Sequence, residues 1–265
     1  PLSLADLQDV SMSPSLPQDQ IDQYQTDGYP ILEDVIDQAE VEQILAIWRA
    51  DPRLARETKE NANFDGDEGL HTRLVYRPAL GPDAYSALAQ SQRIVGPLEQ
   101  IYSSPIDHYY SLNMRKDPNT GGWAWHQDYG YHYKEFFYPD FVSVMVALDP
   151  ATRDNGCLRV VRGSSRLGRL EHTGLGSQLA ADPQRVELAL EQMEEVHCEL
   201  SPGSALIFHG NALHASNANH SQTGRWSMVY AYVPSTNIWM LPEPPQMNRV
   251  EPFSDSQLRE AIAAH

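Results

Sequence analysis

Two textures of hydrophobic patterning divide the chain. Between about residues 20 and 105, apolar positions recur at helical spacing. "AEVEQILAIWRADPRL" carries Val41, Ile44, Leu45 and Trp48 on one stripe, and "DAYSALAQSQRIVGPLEQIYSS" repeats the pattern after a polar loop, "ETKENANFDGDEG". Upstream, "QDQIDQYQTDGYPILEDVID" reads as a short helix, a turn at Gly28 and a strand, behind a Pro/Ser-rich, irregular start. From about Ile106 the chain breaks into short β-rich runs separated by Gly, Pro, Asn and Asp: "DHYYSLNMRK", "GWAWHQD", "FVSVMVALD", "CLRVVRG", "VHCEL", "SALIFHG" and "RWSMVYAYVP". One helix, "PQRVELALEQMEE", interrupts them. The pattern predicts a mainly β fold with flanking helices, a sandwich or barrel behind a helical N-terminal third. Its expected divisions are a helical support region over 20–105, a β-barrel core over 106–235 and a C-terminal extension over 236–265, all in one domain of 265 residues.

Charge narrows the partners. The 36 acidic against 19 basic residues leave a net charge of −17, which repels phosphate backbones and anionic membrane surfaces. The expectation is a small-molecule substrate, with neither nucleic acid nor membrane as partner. Cys157 and Cys198 are far apart in sequence and form no CxxC pair, so neither a disulfide framework nor a thiolate metal site is indicated. The N-terminal segment has no apolar signal region and no later window approaches a membrane span, so a reduced cytoplasm is the expected location.

His126 and Asp128 stand two apart at the end of a β-rich run, and in a strand residues i and i+2 point to one face. A histidine and a carboxylate aimed at one point are half of a metal site. Among ten histidines such a triplet also arises by chance, and strand residues more often simply pack. The later segment "PGSALIFHGNALHASNANHSQTGRWSMVYAYV" adds a third donor, His214, followed by Ser216 and Arg225. Two histidines and a carboxylate suit non-haem Fe(II) with positions left open. An arginine entering an apolar strand is costly to bury unless its fork meets a carboxylate. Arg225 therefore reads either as a carboxylate anchor or as a rim arginine paired with an acidic neighbour.

His126-Gln-Asp128, "NGCLRVVRGSSRLG", His214-x-Ser216 and Arg225 together resemble the phytanoyl-CoA dioxygenase family of Fe(II)/2-oxoglutarate oxygenases, in its ectoine hydroxylase-like branch. The resemblance runs from about Asp107 to Val233. It implies a double-stranded β-helix, a jelly-roll or cupin-like barrel. It implies Fe(II) on His126, Asp128 and His214, with 2-oxoglutarate and O2 as cosubstrates. Arg225 would grip the distal carboxylate of 2-oxoglutarate with help from Ser216, and Asn113 would touch the cosubstrate. Two departures bear on the substrate. His132, in "YGYHYKEFF", stands where ectoine hydroxylase has a tryptophan, which speaks against ectoine, and Gly163-Ser164-Ser165 replaces a common "GSH". The presence of Asp128 speaks against a halogenase.

Candidate substrate contacts follow from spacing. Asp107, Tyr109, Ser111 and Asn113 share a face by period two, so Tyr109 and Asp107 are expected inward if Asn113 is. Tyr129, Tyr131, His132 and Tyr133 follow the ligands, where a lid would begin, although ordinary aromatic packing explains tyrosines more often. Arg159, Arg162, Arg166 and Arg169 concentrate positive charge, and Arg162 or Arg166 is the preferred anion contact against the usual reading of a solvated loop. The expected activity is hydroxylation of an unactivated C–H in a small polar metabolite: an amino acid derivative, a betaine-like solute or an aminophosphonate. An acyl-CoA hydroxylase of the same family is the alternative, followed by a zinc hydrolase and a non-catalytic jelly-roll binding protein.

Overall fold

A computed structural model describes residues 15–57, 59–62, 70–176, 178–243, 245 and 247–265. Most of the irregular start and much of the expected loop before residue 70 lie outside the described residues. Helix α1 (Gln18–Asp27) stops at Gly28, whose φ of 86° closes the turn into strand β1 (Ile31–Leu32). A capping box on Asp37 and Glu40 starts α2 (Gln38–Ala50), whose buried face is Val41, Ile44, Leu45 and Trp48. Then come α3 (Pro52–Glu57), β2 (Lys59–Ala62), β3 (His71–Arg77), α4 (Ala84–Ala89) and α5 (Gln92–Tyr102). The β-rich half holds β4 (Ile106–Lys116), β5 (Trp123–His126), a short α6 (Asp128–His132), β6 (Val142–Ala147) and β7 (Leu158–Val161). It continues through β8 (His172–Leu175), β9 (Gln178–Ala181), α7 (Pro183–Gln192), β10 (Glu195–Cys198), β11 (Ala205–His209), β12 (His214–Ser216) and β13 (Arg225–Pro234). Strand β14 (Asn248–Arg249) and helix α8 (Asp255–Ala263) end the chain.

The strands build two principal sheets, ordered β1-β11-β6-β13-β4-β3-β2, with β14 beside β4, and β10-β7-β12-β5. All pairings in them are antiparallel. This is the jelly-roll barrel, with a larger and a smaller sheet enclosing an interior. Helices cover the outside of the larger sheet, which is why β6 is buried on both faces. Val142, Val144 and Val146 face the helices with Trp48, Leu88 and Leu98, while Met145 and Ala147 turn inward to Val160, Leu206 and Phe208. Tyr230 and Tyr232 sink into the helical layer, where their hydroxyls donate to the carbonyls of Tyr85 (3.1 Å) and Ala89 (2.7 Å).

The boundary expected near residue 106 does not separate helix from sheet. Strand β3 pairs with β4 over Arg73–Arg77, and β1 extends the other side of the larger sheet. "HTRLVYR" lies between helical stretches of the chain, and pairing with β4 makes it a strand. On the other flank, β14 joins β4 and α8 packs against α2 and α4, so residues beyond 235 also belong to these layers.

Two histidines outside the cavity bear on stability. Burial, with Arg77 nearby, lowers the pKa of His108 to about 4, and burial lowers that of His209 to about 4. An unfolded histidine titrates near 6.5, so between these values the unfolded chain binds protons that the folded chain does not. Stability is therefore expected to fall as pH drops from about 6.5 toward 4, by up to about 1.4 kcal/mol per unit for each histidine. Urea melts of wild type and His209→Gln at pH 7 and pH 5 check this, the variant losing less between the two.

Candidate active site

Strand β12 lies between β5 and β7, and in that register His214 faces His126 on one side and Val160 on the other. The two imidazoles are 4.1 Å apart, centroid to centroid. Each ring is held by the carbonyl two residues before it: Nδ1 of His126 lies 2.7 Å from the oxygen of Ala124, and Nδ1 of His214 lies 2.9 Å from that of Ala212. A carbonyl only accepts, so Nδ1 is a donor in each ring and Nε2 is the atom turned to the centre. Both Nε2 atoms look at one oxygen, Oδ1 of Asp128, at 3.5 and 3.6 Å.

Asp128 reaches this point by a route that strand alternation does not describe. Strand β5 ends at His126, and Asp128 is the first residue of α6. Between them Gln127, fully buried, donates to the carbonyls of Gly168 and Asn211, both at 2.8 Å, and accepts from the Leu170 amide at 2.7 Å. The middle residue thus pins the bend that turns both ligands inward. Ser143 donates to Asp128 Oδ2 at 2.5 Å, leaving Oδ1 for the centre. Burial opposes ionisation of Asp128, but His214, His126 and the Ser143 bond outweigh it and hold the carboxyl well below its ordinary value. Burial, then His126, lowers the pKa of His214 to about 4, so the ring is neutral at ordinary pH. The candidate ligand atoms lie within 4.8 Å of one another. Neutral imidazole nitrogens and an ionised carboxylate are the donor set for a divalent first-row metal, and iron fits it.

A cavity of about 310 Å³ opens from this centre. It is lined by Arg225, Ser216, Ser227, Met114, Leu74, Leu158 and Tyr131, and Tyr76, 45% exposed, marks its mouth with Tyr110 and His132, the rings following one another at 5.4 and 5.5 Å. Arg225 is 3% exposed, and its Nε and Nη1 have no hydrogen-bond partner among the described residues. The hydroxyl of Ser227, lining the same cavity two residues along the strand, has none among them either. Burial lowers the pKa of Arg225 to about 10, which still leaves it charged at neutral pH. The rim-arginine alternative does not describe a side chain this deep.

The structure separates the other expected residues. Asn113 faces away from the cavity: it pairs across strands with Met228 and Val75, both in the helix-facing core. The period-two argument from Asn113 also breaks, because β4 bulges at Tyr109, where His108 pairs with Tyr232 and Tyr110 with Ala231. Tyr110, Leu112 and Met114 occupy the inward positions instead. Asp107 is paired with Arg249 at 3.0 Å. Tyr109 donates to Glu135 at 2.7 Å and packs on Phe136, behind the mouth. Tyr129 is core, its hydroxyl donating to the Phe136 carbonyl at 2.8 Å. Arg162 stands beside Glu194 and Asp27, and Arg166 lines a separate groove with Tyr24 and Asp140. Tyr131 and His132 do line the cavity; Tyr131 packs edge-on to His126, and Nδ1 of His132 lies 2.6 Å from Glu135. Gln127, Ser143, Ser227, Tyr76 and Tyr110 were not singled out by sequence; the inward alternation of β13 from Arg225 was the one signal that pointed to Ser227.

A jelly-roll barrel that gathers two histidines and a carboxylate beside a buried arginine is the frame of the iron- and 2-oxoglutarate-dependent oxygenases. Residues 24–227 match the family described as phytanoyl-CoA dioxygenase (PhyH), and the chain belongs to that family. It is 29% identical to L-proline trans-4-hydroxylase of Streptomyces griseoviridis over 57% of this chain, spanning 63% of that protein, less than two thirds of its length. It is 27% identical to ectoine dioxygenase of Halomonas elongata, over 93% of this chain and 75% of that one. The crystal structure of EctD from S. alaskensis with 2-oxoglutarate and 5-hydroxyectoine shares the fold, with a TM-score of 0.71 and 20% identity over 90% of this chain and 88% of that one. Among the described residues no helix is long and apolar enough to cross a membrane.

His126→Ala, Asp128→Ala and His214→Ala are each expected to abolish stoichiometric Fe(II) binding while far-UV circular dichroism stays near wild type. Ser143→Ala, which frees Asp128 Oδ2, should weaken metal affinity by about tenfold or more. Anaerobic metal titration followed by metal analysis of the desalted protein reads both.

Proposed function

We propose that this protein is an Fe(II)- and 2-oxoglutarate-dependent hydroxylase of a compact, amine-bearing or zwitterionic metabolite. One observation carries the reading: a buried arginine with partnerless N–H groups and a partnerless serine hydroxyl share a cavity with a two-histidine, one-carboxylate set. A carboxylate only accepts, with about four lone-pair sites, so it is the group that such donors call for. A ligand anchored there, with its other end at His126, Asp128 and His214, is 2-oxoglutarate in this family. Bound iron and 2-oxoglutarate would supply the oxidising power to hydroxylate an unactivated carbon.

The remaining residues hold and shield. His126, Asp128 and His214 are the proposed metal ligands; Arg225, Ser216 and Ser227 fix the cosubstrate carboxylate. The apolar walls, Leu158, Met145, Phe208 and Val229, exclude water around the reacting carbon. At the mouth, Tyr76, Tyr110 and Tyr131 offer aromatic faces, and His132 is backed by Glu135. Burial raises the Glu135 pKa, but the bonds from His132 and Tyr109 outweigh it, so the carboxyl is held ionised. Aromatic faces near a half-buried negative charge favour a cationic group on the substrate.

Size and charge argue against a CoA ester. A volume of about 310 Å³ is near the lower end for small-molecule sites, and the cosubstrate must share it. The arginine segment is also engaged elsewhere: Arg159 with Glu195 at 3.0 Å, Arg162 with Glu194 at 3.4 Å and Arg169 with Glu171 at 3.1 Å. A zinc hydrolase would leave Arg225 without a task. The test is a weak visible charge-transfer band on anaerobic addition of Fe(II) and 2-oxoglutarate, followed by succinate release stimulated by panels of zwitterions and of acyl-CoAs. Stimulation by acyl-CoAs alone would overturn the substrate class. Arg225→Ala should raise the KM for 2-oxoglutarate about 10- to 100-fold, the loss of charge-assisted hydrogen bonds, with a much smaller change in that for the substrate.

A further inference from the structure

We propose that Lys116 is a positioning residue of the cosubstrate pocket: by donating to the Ser216 hydroxyl, it commits the Ser216 proton to the ligand carboxylate. The inference rests on the reading above that the Arg225 end of the cavity holds that carboxylate. Lys116 ends β4 and is paired in register with Arg225, the first residue of β13, so the two stand on one rung of the larger sheet. It is 3% exposed, although lysine is among the residues least often buried.

Its ammonium spans the gap to the smaller sheet. Nζ donates to Ser216 Oγ at 2.8 Å, to the carbonyl of Gly156 at 3.4 Å, and at close range to that of Asn217. An ammonium has only protons to give, so Ser216 Oγ is the acceptor in this bond. A hydroxyl whose oxygen already accepts still owns one proton, and Ser216 lines the cavity beside Arg225 and Ser227. The proton is thereby free for an acceptor in the cavity rather than one in the wall. Without Lys116 the hydroxyl could rotate and accept from the arginine fork, and the pocket would lose a donor while quenching another.

The wall is shaped to admit this lysine. Gly156 has φ of +77°, and a Cβ there would lie 2.3 Å from the Asn217 oxygen and 3.0 Å from Lys116 Nζ. Only glycine lets the β7 approach loop pass this close to the end of β12. The result is an inner pocket that presents donors only, which favours a 2-oxo acid with a second carboxylate over one of equal length without it.

The test measures binding directly, on full-length protein loaded with Zn(II) in place of iron, by titration calorimetry with 2-oxoglutarate and with 2-oxopentanoate, which lacks the distal carboxylate. Lys116→Met and Ser216→Ala should each weaken 2-oxoglutarate binding about tenfold, the scale of one charge-assisted hydrogen bond, and leave 2-oxopentanoate within about twofold. The double variant should bind no more weakly than either single one, because both remove one interaction. Additive losses, or equal losses for both acids, would overturn the role. Lys116→Gln keeps a donor without the charge and serves where the methionine variant does not fold. Binding within about threefold of wild type supports the hydrogen-bond role, and a tenfold loss refutes it. If wild type itself fails to bind 2-oxoglutarate, the functional reading falls; if it binds and the cycle is additive, only the Lys116 assignment falls.

Discussion

The antiparallel pairing of β12 between β5 and β7 is the constraint on which the site depends. That register sets His214 across from His126, and a strand held on both sides brings the two imidazoles to 4.1 Å, centroid to centroid. Backbone carbonyls then choose the tautomers, so the orientation of both rings is a property of main-chain geometry. Ser216, two residues along the same short strand, inherits its inward aim from His214. One three-residue strand therefore places both a candidate metal ligand, His214, and a side chain of the cavity wall, Ser216.

The parts legible in the sequence were those that local pattern or residue chemistry determines. The runs that became β4, β6, β11 and β13 alternate or are continuously apolar, and the stripe in α2 is the face that packs on the sheet. His126, Asp128, His214 and Arg225 were visible through the spacing of histidine and carboxylate, an arginine entering an apolar strand, and the order of these motifs along the chain. Tyr109 misled because a single bulge shifts the inward set from odd to even positions along β4, and a bulge has no mark in "DHYYSLNMRK"; Asn113, implied by the resemblance alone, falls on the helix-facing side with Met228 and Val75. The arginine segment misled for a different reason. The charges of Arg159, Arg162 and Arg169 are matched by Glu195, Glu194 and Glu171, which meet them through the β7–β10 pairing and local folding, and Arg166 lies in a separate groove.

The helices serve the site indirectly. They cover the outer face of β6, β13 and β4 with a continuous apolar layer, so the larger sheet is clamped from outside while its inner face carries the polar work. Ser143 and Ser227 sit on those same strands between residues of the helix-facing core, which fixes them to within the tolerance of packed side chains. At the mouth the support is thinner: Tyr76 is 45% exposed and His132 rests on Phe141 and Glu135. Specificity can drift there by single substitutions without disturbing the deeper pocket.

The Nε and Nη1 of Arg225, without a hydrogen-bond partner among the described residues, have a consequence for the life of the chain as well as for its chemistry. A charged group buried without an acceptor destabilises the fold, and a dicarboxylate bound there, as proposed above, would relieve that penalty. Folding and cosubstrate binding would then be thermodynamically linked, the folded population rising with the free concentration of the ligand. A cell rich in that dicarboxylate would keep more of this protein intact against proteolysis than a depleted one, so abundance itself would follow metabolic supply.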